Sequence, residues 1–168
     1  ADLDLPDATN EADVTLPVPP LDTAVTATVA APLSDAHEVY LAVVDLVRTP
    51  EDVRLLTYEV AREMAREQRV RYAELTCTPY TSVLPHDPDR GMPIEAYTEA
   101  IEDARVAAER DFGIVLRWIY DIPGEFGLPA ADATLGFALD HRVDALVGFG
   151  LGGPEIGVPR PQFQPHFD

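Results

Sequence analysis

Residues 143–157 read VDALVGFGLGGPEIG, and how this stretch is interpreted decides the fold. Val143, Ala145, Leu146, Val147 and Phe149 form an apolar run too short for a helix and bounded by turn residues. Such a run is expected to be a strand buried on both faces. It opens into Gly150, Gly152 and Gly153, then Pro154 and Glu155. Glycine lets a backbone N–H approach a ligand closely and tolerates positive φ. A buried parallel strand ending in such a loop is a usual place for an α/β protein to bind a small molecule, although the glycines also suit a simple exit turn.

Working outward, the same alternation recurs. Thr49-Pro50-Glu51-Asp52 supplies an N-cap, a first-turn proline and first-turn acids, so a helix is expected over 50–68 with Val53, Leu56, Val60 and Met64 inward. VRYAELT (70–76) reads as a strand ending at Thr78-Pro79-Tyr80. Pro93 opens a helix over 93–111 with the stripe Ile94, Tyr97, Ile101, Ala104 and Ala108. IVLRWIYDI (114–122) is a second strand, broken by Pro123-Gly124. Pro129 opens a third helix over 129–141, and PQFQPHFD begins another. A short helix is expected at 38–47. Alternating strands and helices imply parallel strands with right-handed crossovers. The loops near 77–92, 121–128 and 150–158 then share one sheet edge, and function belongs there. Three strands leave both edges open, like a slice of a larger α/β architecture.

Residues 1–36 hold prolines at 6, 17, 19, 20 and 32 and several acids, with no arginine, lysine or glycine. They are expected to form an acidic, irregular arm or linker, with 37–168 as the folded part. The net charge of -18 disfavours binding to a phosphate backbone, and all 12 cations are arginine. No run of apolar residues is long enough to cross a membrane. The N-terminus lacks the features of a signal peptide, so a cytoplasmic location is expected. The single cysteine, Cys77, excludes an internal disulfide and a cysteine-based metal cluster.

Gly148, Gly150 and Gly153 match G-x-G-x-x-G. A dinucleotide site needs a helix to begin at once, whereas Pro154, Gly157, Pro159 and Pro161 follow. His37, His86, His141 and His166 are scattered without ligand spacing, and are expected at the surface or in loops rather than on a metal. Glu74 stands in an apparently buried strand, where a carboxylate needs a partner such as Arg117 or shifts its pKa. Asp121 falls at the carboxyl end of its strand, either touching substrate or capping the loop.

RYAELTCTPYT (71–81), GMPIEAYTEAIEDARVAAERDFGI (91–114), RWIYDIP (117–123) and VGFGLGGPEIGVPRPQFQPHFD (147–168) together resemble the adenosine deaminase family of zinc hydrolases. The wording of RWIYDIP is similar to the microbial branch that includes aminodeoxyfutalosine deaminases. The most specific pieces are G-x-x-G-x-E over Gly150, Gly153 and Glu155, and Y-A-E-L-x-x-x-P from Tyr72 to Pro79. The resemblance implies a partial (β/α)₈ TIM barrel: the second, third and fourth units of the barrel, over about 38–168. It also implies hydrolytic deamination at purine C6, in which zinc activates a water and a glutamate shuttles the proton. The glycine matching Gly153 offers its N–H to the purine. Substrate-binding residues are therefore expected at Gly153, Gly152 and Asp121.

The family's H-x-H zinc pair has no counterpart in residues 1–36, and its later metal ligands and catalytic glutamate have none here either. No metal ligand or catalytic residue is assigned, no cofactor is expected in this chain although zinc serves the family, and the chain alone is expected to be inactive. The partner expected is at most a purine nucleoside, with no nucleic acid and no membrane. Two alternatives remain: a non-catalytic protein that associates through its open sheet edges, and a small-molecule binding module using only the loop at 150–157.

Overall fold

A computed structural model describes residues 43–84 and 91–168. The expected arm at 1–36, the first half of the expected helix at 38–47, and His37 and His86 lie outside the described residues.

Helix α1 spans Pro50–Arg66. Thr49 Oγ1 accepts from the Asp52 N–H at 3.1 Å, and the Asp52 carboxylate accepts from the Thr49 N–H at 2.9 Å, so two N-terminal donors are satisfied reciprocally. The inward face is Val53, Ala61 and Ala65. The expected stripe was rotated: Leu56 is 49% exposed and Val60 36%. The small side chains win the inner face because α1 packs against the alanine-rich helix α3, Ile94–Phe112, where close approach needs little side-chain volume. In α3 the expected stripe is buried as read, with Ala100 and Ala107 added to it. Gly113 closes α3 in a left-handed C-cap, φ 67°.

Strand β1 is Tyr72–Cys77 and is followed directly by a short helix α2, Pro79–Val83, where a plain turn was expected. Strand β2 is Val115–Pro123. A 3₁₀ turn at Gly124–Phe126 leads into α4, Gly127–Asp140. Pro129 sits inside the first turn of α4 rather than opening it, because the N–H it lacks has no helical acceptor there. Strand β3 is Leu146–Gly152. The closing PQFQPHFD segment belongs to a 3₁₀ helix, Arg160–His166.

The sheet order is β1-β2-β3, all parallel, with Cys77 opposite Tyr120 and Asp121 opposite Gly150. The three strand ends therefore emerge on one edge, as an α/β barrel segment requires. One face of the sheet is covered by helices. Leu116, Trp118, Tyr120 and Ile122 point into that core and are 0–1% exposed. The alternate residues Val115, Arg117, Ile119 and Asp121 are only half-buried. Strand β3 is likewise only partly buried, so the expectation of burial on both faces was wrong: helices reach only one side of it. A register shift leaves Val147 without a partner between Leu146, opposite Trp118, and Gly148, opposite Ile119.

Glu74 is exposed rather than buried, because it lies on the uncovered face. Arg117 is its neighbour across the ladder, but its hydrogen bond comes from the Tyr72 hydroxyl at 2.7 Å. On the covered face, Trp118 Nε1 donates to Glu102 Oε1 at 2.6 Å while Arg105 donates to Glu102 Oε2 at 2.8 Å. The Trp118 bond pins α3 to β2, and Arg105, on α3 itself, holds the Glu102 carboxylate in place. A second, small core of Ile122, Ala131 and Phe163 fastens the last 3₁₀ helix over the carboxyl edge of the sheet. Among the described residues, no helix is long and apolar enough to cross a membrane.

Candidate functional site

At the carboxyl edge, Thr76, Thr78, Thr81, Asp121, Pro123, Glu125 and Gly153 line a concavity of about 380 Å³. This volume lies in the range usual for small-molecule sites. Asp121 is carried in by the last turns of β2. Its Oδ1 accepts from the Thr78 hydroxyl at 2.6 Å. Burial raises the Asp121 pKa above the ordinary 3.8; the Thr78 bond opposes this and the nearby Glu125 charge reinforces it. The second oxygen, Oδ2, lies against Gly152, and a Cβ at 152 would collide with it. Glycine at 152 is therefore required by the site residue on the neighbouring strand.

Gly153 follows at φ 80°, in the left-handed region. The space its side chain would fill is occupied by the Glu125 carboxylate. Glu125 Oε2 is buried and has no hydrogen-bond partner among the described residues. From the other side, Arg160 Nη1 donates to the Gly152 carbonyl and Nη2 to the Gly153 carbonyl, both at 2.9 Å. Tyr80 and Phe126, with centroids 5.6 Å apart, brace the loop after β1 against the loop after β2.

All three residues expected at the site thus meet: Asp121 and Gly153 line one concavity, and Gly152 packs on Asp121. Glu125, Thr78 and Arg160 were missed. Two of them left a trace in the sequence. Glu125 stands four residues after Asp121 across a Pro-Gly turn, and Arg160 is the only cation in residues 143–168.

A larger concavity, about 530 Å³, lies away from this edge and is lined by Ala65, Arg66, Arg69, Arg71, Asp111 and Phe112. Helices α1 and α3 end there. Arg66 in the last turn of α1 sits over the Phe112 ring at 4.9 Å. Arginines at helix C-termini answer the exposed carbonyls and the negative end of the dipole. Asp111 is held down to about pKa 2 by its bonds from Arg110 and Tyr58. We read that end as structural.

The described residues do not fit a zinc ion. His141 Nδ1 faces Glu95 at 3.5 Å, and His166 Nε2 faces Asp132 at 2.9 Å. Among the described residues, no three of His, Cys, Asp or Glu converge to hold a metal. What the edge offers is binding chemistry: a backbone donor, a carboxylate acceptor and hydroxyls.

The adenosine deaminase family model matches residues 4–168. The aminodeoxyfutalosine deaminases of Streptomyces avermitilis and Streptomyces coelicolor are each 64% identical over 133 residues, 78% of this chain and 36% and 33% of theirs. The adenosine deaminase of Proteus mirabilis is 33% identical over 115 residues, covering 68% of this chain and 33% of its own length. The chain thus spans about a third of the relatives it matches. Among solved structures, an amidohydrolase from Burkholderia ambifaria with bound Zn superimposes with a TM-score of 0.69 at 28% identity, covering 77% of this chain and 35% of that one. The adenine deaminase of Arthrobacter aurescens, at 24% identity and a TM-score of 0.66, shares the fold over 78% of this chain and 38% of its own. With the parallel sheet and its carboxyl-edge loops in place, and the family model running through them, the chain belongs to the adenosine deaminase family.

Proposed function

We propose that this chain builds one wall of the substrate pocket of a purine-type deaminase, with aminodeoxyfutalosine as the favoured substrate and adenosine second. The observation that carries the reading is the meeting of Asp121 and Gly153 in one concavity at the carboxyl edge of the sheet. The order of substrates follows the 64% identity to aminodeoxyfutalosine deaminases against 33% to an adenosine deaminase.

In this reading the Gly153 N–H donates to a ring nitrogen and the Asp121 carboxylate accepts from a substrate N–H or O–H. The Thr78 hydroxyl is already spent on Asp121, and that of Thr81 on the Thr78 carbonyl at 2.9 Å. In the family, bound zinc supplies an activated water. The residues described here bind and orient, and the 168 residues alone do not turn substrate over. The test is ammonia release from aminodeoxyfutalosine and from adenosine with excess zinc, alongside a nucleoside titration with Gly153→Val as control. Binding without turnover, abolished by the substitution, supports the reading. Robust turnover by the chain alone overturns its inactivity, and binding unaffected by Gly153→Val overturns the pocket.

A second reading is favoured by the open face and edges. Val147 is 53% exposed, Leu139 69% and Ile156 96%, and among the described residues β1 and β3 are both edge strands. Such surfaces favour self-association. Sedimentation decides it: a monomer at all accessible concentrations removes this reading.

A further inference from the structure

We propose that Arg160 is the positioning residue that aims the Gly153 N–H into the concavity. The inference rests on the purine-pocket reading above and adds to it a residue outside the pocket lining. A trans peptide places the C=O of one residue and the N–H of the next on opposite sides of the bond. Arg160 Nη1 holds the Gly152 carbonyl at 2.9 Å. The Gly153 N–H, the other half of that peptide, must then point away from Arg160. Gly153 lines the concavity, and among the described residues its N–H has no intramolecular acceptor.

The next peptide is held as well, because Nη2 takes the Gly153 carbonyl at 2.9 Å. Two successive carbonyls on one planar fork fix both the direction and the twist of the loop. The surroundings are built for this fork. A Cβ at Gly124 would lie 3.0 Å from the Gly152 carbonyl oxygen and 3.3 Å from Arg160 Nη1, so a side chain there would press on both ends of the bond. Phe163, fully buried, docks the 3₁₀ helix that carries Arg160. Lysine could keep the charge but not the paired donors.

A loop that no longer aims its donor loses affinity by the fraction of time it is misaligned, about tenfold if only a tenth of molecules are aligned. The test compares the unaltered chain with Arg160→Ala, Arg160→Lys and a core control, Ile101→Val, which lowers stability elsewhere. Two quantities are read: the chemical shift of the Gly153 amide without ligand, and affinity for adenosine. Expected are a shifted Gly153 amide resonance in Arg160→Ala, and adenosine binding weakened about tenfold or more. Arg160→Lys should fall between, and Ile101→Val should change neither. An unchanged Gly153 amide and unchanged affinity in folded Arg160→Ala overturn the proposal. If no form binds adenosine yet Arg160→Ala still shifts the Gly153 amide, the purine reading fails and the positioning role stands. Should Arg160→Ala not fold, Arg160→Lys carries both readings alone.

Discussion

Replacing Gly153 by alanine tests the site's geometry, because the chain contains its own control. Gly153 and Gly113 both sit in the left-handed region, at φ 80° and 67°. At Gly113 an added Cβ meets nothing within 4 Å, whereas at Gly153 it runs into the Glu125 carboxylate. Gly113→Ala therefore reports the backbone term alone, about 1–2 kcal/mol. The lowered entropy of the unfolded chain offsets this by a similar amount in both variants, so it cancels in the comparison. Gly153→Ala adds the displacement of Glu125 and is expected to exceed Gly113→Ala by about 1–2 kcal/mol, the range for overpacking. Urea denaturation gives both values. A Glu125→Ala background should erase most of the excess, leaving the backbone term and the tight 3.3 Å approach to the Gly124 nitrogen. If Gly153→Ala costs no more than Gly113→Ala, Glu125 does not occupy that space and the packing of the site is misread.

Tyr120 is fully buried and its hydroxyl has no partner among the described residues; Tyr120→Phe should raise stability by about 1 kcal/mol, and a loss of that size in denaturation would reveal a hidden partner. Asp121 has a folded pKa above the ordinary 3.8, so folding disfavours its ionised form. The cost is present above the raised pKa and is relieved as pH falls through it. Asp121→Asn, still able to accept from Thr78, should then be more stable than the unaltered chain at pH 7 and lose that advantage in acid; the reverse order at pH 7 refutes it. Burial pushes the Cys77 thiol up to about 12, so iodoacetamide at mildly alkaline pH should label it only on unfolding, and rapid labelling of folded protein contradicts this.

The local signals were strong where one short stretch decided the outcome. The Thr49–Asp52 capping box, the stripe of α3 from Ile94 to Ala108, and the three strands were legible because periodicity and turn chemistry act within a few residues. Where two elements compete for the same space, the sequence is silent. Leu56 and Val60 looked inward by hydrophobicity, yet Ala61 and Ala65 took the contact with α3. Glu74 looked buried because the strand did, although among the described residues helices cover only one face of the sheet.

What the sequence determined by itself was the parallel α/β order and the family resemblance, and it also pointed to the carboxyl edge where Asp121, Gly152 and Gly153 lie together. Only the tertiary structure brought in Thr78, Glu125 and Arg160. Each acts on a residue that another element supplies: Thr78 reaches Asp121 across 43 positions, and Glu125 meets Gly153 only where β2 and β3 lie side by side. Arg160 grips its carbonyls because Phe163 docks its helix. Hydrogen bonds are decided by ångströms, and distances between segments far apart in the chain exist only once the sheet has set its register.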